Sequence, residues 1–345
     1  MSLTYEEFRA VVKAQIRNFL PEKLSHADIH IEEVTKNNHV KLYGLVIRDP
    51  EKLMVPTLYL ESCYEKYQKG IELGNILTSL VAQYEQAMEK ESALLPVALK
   101  DYEQMKDKLY LTVINQDNQE YLKEAVHQDI PETDLTSVVR VRCGDEGKQG
   151  IGSFILKEAL LSEWGQTKEE VYEQALTNTE KLFPAELINI QEVIRSLGLL
   201  LNGMKQEEES TSRNLLPYEQ YVLSNEEKFY GATAILYPGL LKEIGEATKS
   251  NFFLLPSSIH EVILMKDNGE MSAEELQRMV MDINRTQVDP AEVLSDEVYC
   301  YDYREQKLIM ATDPLQTKEL VQQIEGMDEQ ENFLEEERTE AGIER

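Results

Sequence analysis

Apolar residues return every three or four positions at the start of the chain, where Tyr5, Phe8, Val12, Ile16 and Phe19 share one helical face. Thr4 and Glu7 stand ahead of it at capping-box spacing, a hydroxyl for the exposed amides and a carboxylate that reaches back, and Pro21 ends the helix. The period then drops to two. IHIEEV, VKLYGLVIRD and PTLYLE are separated by turn signals at Asn37-Asn38 and Asp49-Pro50 and read as a small antiparallel sheet. Ile76, Leu77, Leu80, Val81, Tyr84 and Met88 go back to helical spacing, so a second helix covers that sheet. Residues 1–95 make one helix, three-strand, helix unit.

A middle unit over 96–201 opens with a helix around Tyr102 to Leu109. VVRVRC and IGSFILKEAL follow as a hairpin whose GDEGKQG loop supplies the glycines that positive φ demands. Thr167 and Glu170 repeat the capping box before VYEQALTNTEKLF, Pro184 stops that helix, and LINIQEVIRSLG reads as another helical stretch. Residues 202–214 are polar and acidic without a period, and read as a linker or long loop.

The unit at 215–312 is the most clearly patterned. YVLSN and FYGATAIL read as strands joined at Glu226-Glu227, Pro238 opens a helix LLKEIGEATK, and FFLLPSS leads into the extended run EVILM. Ser272 and Glu275 form a third capping box, with Leu276, Met279, Val280 and Ile283 as the inward face of its helix, and EVYCYDY and KLIM close the unit as a hairpin. A succession of hairpin-then-helix units favours an antiparallel sheet with helices packed on one face, and the class is α+β. Residues 313–345 read as an acidic helical or disordered tail.

Charge narrows the partners. Sixty-four acidic against 35 basic residues give a formal net charge of −29, which repels phosphate backbones and anionic membranes. Direct nucleic-acid binding is not expected, and the partner is expected to be another protein. Cys63, Cys143 and Cys300 are an odd number and far apart, which fits a reducing compartment and a cytoplasmic location. No basic n-region precedes an apolar core near Met1, and no apolar run approaches the roughly 20 residues a membrane helix needs.

Candidate chemistry is sparse. Ser257, Ser258, His260 and Glu261 supply the residue types of a nucleophile, its base and an orienting acid. Their spacing argues against it: in an extended segment Glu261 points away from the face shared by Ser258 and His260, and no glycine-framed elbow surrounds either serine. Polar residues bonding a turn at a strand end is the plainer reading. The five histidines lack metal-site spacing and the cysteines never pair as CxxC, so no metal is expected. GDEGKQG does not match a phosphate loop, and no cofactor is expected. Tyr299, Tyr301 and Tyr303 alternate along one strand, as an interaction surface or as sheet packing.

VKLYGLVIRD with PTLYLESCYEKYQKG, then LLSEWGQTKEEVYEQALTNTEKLFP, then YVLSNEEKFYGATAILYPGLLKEIG with NFFLLPSSIHEVILM and LSDEVYCYDY resemble a domain family of unknown function common in gut clostridia and their relatives. The resemblance runs to about residue 312; the central helix and C-terminal segments are also similar, more loosely, to a second such family from bacilli. It implies a bacterial cytosolic protein and assigns no catalytic residue. The first functional expectation is therefore a non-enzymatic protein-interaction module. The alternatives are an acidic inhibitor or nucleic-acid mimic acting on a defence or mobile-element system, and a hydrolase-type enzyme using Ser258 and His260.

Overall fold

A computed structural model describes residues 3–50, 52, 55–90, 99–143, 153–190 and 220–312. The GDEGKQG loop, the 202–214 linker and the tail at 313–345 lie outside the described residues. The chain forms two compact units, one of Met1–Gln128, Ser137–Leu182 and Pro290–Glu292, the other of Asp129–Thr136, Phe183–Asp289 and the chain from Val293 on.

The first unit begins with α1 (Tyr5–Gln15), whose Thr4–Glu7 capping box is fully formed, continued by a 3-10 turn over Ile16–Phe19. Strands β1 (Asp28–Thr35), β2 (Lys41–Arg48) and β3 (Thr57–Tyr59) pair antiparallel in that order. Helices α2 (Glu61–Gln68) and α3 (Leu73–Lys90) follow. Phe8, Val12 and Ile16 meet Leu45, Ile47, Leu77 and Leu80 in one core, while Phe19, expected on the same face, is 38% exposed once the helix tightens. Aromatic rings ring this core: Arg9 lies 3.5 Å over the Tyr43 ring, and Glu61 accepts from both the Tyr5 hydroxyl and the Tyr43 amide at 2.7 Å. Burial, then the Glu61 hydrogen bond, hold the Tyr5 phenol well above its usual range.

The second sheet of this unit has the order β4 (Leu109–Asn115), β6 (Leu135–Arg142), β5 (His127–Asp129), with β7 (Ser153–Ile155) also pairing β6. Strand β4 is not foreseen in the sequence, because LYLTVIN is buried on both faces and a short apolar run carries no period. The VVRVRC–SFI hairpin is present with Arg140 opposite Ile155, yet KEAL leaves the strand and enters α4 (Glu158–Trp164). Gly165 ends α4 in the left-handed conformation, at φ 65°. Helix α5 (Lys168–Leu182), with Thr167 and Glu170 bonded reciprocally, covers β4, and its Thr179 hydroxyl oxygen accepts the Leu111 amide at 2.8 Å.

In the second unit β8 (Ala185–Asn189), β9 (Gln220–Asn225), β10 (Phe252–Ser258), β11 (Glu261–Lys266), β12 (Tyr299–Asp302) and β13 (Lys307–Met310) form one antiparallel sheet of order β13-β12-β10-β11-β9-β8. Two expectations change here. Of the expected helix LINIQEVIRSLG, Leu187 to Asn189 are strand, with Leu187 paired to Leu223, and the part from 191 on lies outside the described residues. FYGATAIL is not a strand: residues 231–236 form a 3-10 turn whose small side chains let the backbone lie close to β9 and the β10–β11 turn.

Helices α6 (Leu240–Thr248) and α7 (Ala273–Gln287) then cover opposite faces of the sheet. Leu276 and Val280 of α7 meet Phe253, Leu255 and Cys300, whereas Phe252 stacks on Tyr301 with centroids 5.1 Å apart on the face where Gly245 of α6 lies against Tyr301. The α+β class and the antiparallel pairing are as the sequence implies. The expected single helical face is corrected in this unit, since FFLLP is buried on both sides and so needs a cover on each. A Cβ at Gly245 would sit 2.7 Å from the Tyr303 Cβ and 3.3 Å from Tyr301 Cε1. Gly245→Ala is therefore expected to push α6 off β12 and cost about 1–2 kcal/mol, measured as a fall in the denaturation midpoint.

Candidate functional site

The β10–β11 hairpin carries the serine and histidine motif. A register shift between Pro256 and Ser258 bends the end of β10, and Ser258 Oγ accepts the His260 amide at 3.0 Å across the turn. His260 Nδ1 in turn accepts the Tyr230 amide at 3.1 Å, which in the neutral ring leaves the proton on Nε2. The His260 carbonyl accepts from the Ser224 hydroxyl at 2.8 Å, and Ser257 Oγ donates to Glu261 Oε1 at 3.4 Å. The four candidates are thus brought together, with Nδ1 occupied by a backbone amide and Glu261 engaged by Ser257. The Ser258 and Glu261 bonds close the hairpin on itself, Ser224 ties it to β9, and the Tyr230 amide ties it to the residue that leads into the 3-10 turn. The geometry favours turn-holding over proton transfer.

The other candidates are placed inside the second unit. Tyr299 is 1% exposed and its hydroxyl bonds Asp134; Tyr301 is 5% exposed and stacks on Phe252; Tyr303 is half-buried. Sheet packing accounts for the first two. All three cysteines are free thiols, and burial pushes Cys300 up to about 12, far from a reactive thiolate. No group of three or more His, Cys, Asp or Glu residues is placed to hold a metal among the described residues. Among the same residues no helix is long and apolar enough to cross a membrane.

Two depressions flank this sheet. One, about 250 Å³, lies between α6 and the sheet, floored by Tyr221, Phe252 and Leu264 with Glu243 and Lys266 at its edge. The other, about 150 Å³, runs along α7. Leu255, Ile263, Leu276 and Val280 form its floor, Met265, Met271, Met279 and Ile283 its walls, and Gln220, Ser257 and Asn284 its uncharged polar groups. Met279 is 45% and Ile283 38% exposed.

Sequence periodicity places Met279 and Ile283 on the inward face of α7, and this is corrected. The buried stripe is Leu276, Val280 and Asn284, an i, i+4, i+8 line. Asn284 is drawn in because its side-chain amide donates to the Ser295 carbonyl at 2.9 Å and to Asp296 Oδ1 at 2.8 Å. Met279 and Ile283 are thereby rotated to the lip of the groove. Met265, Met271 and Gln220 were not readable as members of it, because their convergence depends on sheet order. The available signal was the width of the apolar arc on α7, which exceeds what one core-facing stripe needs.

The fold is that of an α+β protein with two compact units, its second unit carrying a methionine-walled groove. The chain belongs to DUF5688, a family of unknown function, whose model matches residues 5–303. No curated protein and no solved structure matches it.

Proposed function

We propose that the chain is a non-enzymatic protein-interaction module that binds, along α7, the apolar stripe of an amphipathic helix carrying basic residues beside it. The observation that carries this reading is the exposure of Met279 and Ile283 on the lip of a groove with an apolar floor. Flexible, polarizable methionine side chains adapt to an apolar partner, and a helix laid along a helix-bordered groove is a common mode of recognition. The net charge of −29 sets the partner's polar flank, because the long-range field favours basic residues and speeds their approach. Covering the exposed remainder of each lip side chain contributes on the order of 1 kcal/mol, so the pair governs at least a tenfold change in affinity.

The experiment is affinity capture from cells of the source organism with the wild type and the Met279→Asp/Ile283→Asp variant. Both substitutions are at exposed positions, so the denaturation midpoint is expected to move little. A protein retained by the wild type and lost by the variant at moderate salt supports the reading. Equal recovery by both, or recovery of bait alone, removes it.

A further inference from the structure

Helix α6 sits off-centre on its face of the second unit's sheet. Its buried residues, Leu241 and Gly245, seat it toward β12, where Gly245 lies against Tyr301 and Tyr303. The neighbouring stripe of the helix, Leu240, Glu243, Ile244 and Ala247, is left to overhang β11, β9 and β8. Strand register supplies the opposite wall. Lys266 pairs with Phe252 and Leu264 with Tyr221, so alternation puts all four side chains on the α6 face. The depression of about 250 Å³ lies between helix and strands. An apolar cavity of about 150 Å³ holds benzene, so this one suits an apolar group of up to roughly ten heavy atoms.

Two opposite charges stand at its mouth and do not pair. Glu243 on α6 is exposed and Lys266 at the end of β11 is half-buried; among the described residues neither forms an ion pair or a side-chain hydrogen bond. In a chain with 64 acidic against 35 basic residues, a half-buried ammonium without an acid is open to a carboxylate from outside. The Thr248 hydroxyl in the same wall is already engaged, donating to the Gly245 carbonyl at 3.2 Å. A simple carboxylate would meet Lys266 but face Glu243 and the repulsion of a chain of net charge −29; a simple amine would meet Glu243 but face Lys266. A compact zwitterion satisfies both charges, and an apolar side chain attached to it fills the depression.

We propose that this depression binds a free α-amino acid with a large apolar side chain, its carboxylate on Lys266, its ammonium on Glu243 and its side chain over Phe252 and Leu264. The groove along α7, on the other face of the sheet, plays no part in it.

The test is calorimetric titration of the full chain with L-phenylalanine and with phenethylamine and hydrocinnamate, which keep the aromatic group and one charge each. The wild type is expected to bind L-phenylalanine at least about tenfold more tightly than either analogue, the worth of one charge-assisted hydrogen bond. Lys266→Met is expected to weaken L-phenylalanine by about the same factor. Glu243→Gln is expected to weaken L-phenylalanine while strengthening hydrocinnamate, a reversal that a structural role does not produce. Ala247→Leu, at an exposed helix position, fills the depression and is expected to abolish binding with the denaturation midpoint held. No binding of L-phenylalanine, equal binding of the three molecules by the wild type, or unchanged binding in Lys266→Met or Ala247→Leu overturns the site. So does tighter binding of either analogue, which would make the ligand singly charged.

Discussion

Replacing Gly231 by alanine is expected to destabilise the second unit by about 3 kcal/mol, the upper end of what an extra methyl does in a closed site. The added Cβ would lie 2.2 Å from Ser224 Oγ, 2.4 Å from the His260 carbonyl oxygen and 2.8 Å from the Asn225 amide nitrogen. Two of these neighbours are backbone, so neither a rotamer change nor a small drift relieves the clash. Ser224 and the His260 carbonyl also bond each other, and the Tyr230 amide next to Gly231 bonds His260 Nδ1. One methyl group thus strikes both the β9 strand and the β10–β11 turn against which the 3-10 turn is packed. Urea denaturation should show the midpoint falling with the slope unchanged. A midpoint within error of the wild type would mean that the serine, histidine and glycine contacts do not hold this turn.

Tyr299→Phe is expected to cost about 2 kcal/mol at neutral pH, because it removes a hydrogen bond to a carboxylate deep in the second unit. Asp134 accepts from the Tyr299 hydroxyl and, at 2.8 Å, from the Ser295 hydroxyl, fastening segment 129–136 to the start of β12. Burial above all, then the charge of Asp134, hold the Tyr299 phenol well above its usual value near 10. The sign follows. The unfolded chain loses this proton as pH passes about 10 while the folded chain keeps it, so stability falls with rising pH by about 1.4 kcal/mol per pH unit for each such proton. The variant lacks that proton. Its deficit should be full at pH 7 and narrow above pH 10, and denaturation at both values checks it. Curves that stay parallel across that range would contradict the buried pair.

Much of this architecture is legible because local signals speak for themselves. The three capping boxes at Thr4, Thr167 and Ser272 are present with both reciprocal bonds, since each needs only four consecutive residues. The β1–β2 pair and the closing β12–β13 hairpin are readable for the same reason, being joined by four or five residues. What fails is what depends on distant partners. Leu187 to Asn189 become strand because β9 lies beside them, LYLTVIN because helix α5 and β6 flank it, and GATAIL a 3-10 turn because Gly231 fits against the His260 carbonyl. The candidate sites divide likewise. Adjacent residues reveal the hydrogen-bonding types of Ser257, Ser258, His260 and Glu261, but only the fold shows that backbone amides occupy Ser258 and His260 while Ser257 and Glu261 engage each other. The groove gathers residues from β9, β10, β11 and α7, and its one local trace is the wide apolar arc of α7.

The most direct measurement is the dissociation constant of the captured protein for the wild type and for Met279→Asp/Ile283→Asp, with folding of both baits verified by their denaturation midpoints. Docking along α7 predicts weakening by at least about tenfold in the variant, from the apolar contact removed and the charge placed in its path. Equal constants in the two folded proteins would contradict it and move the interaction away from this groove.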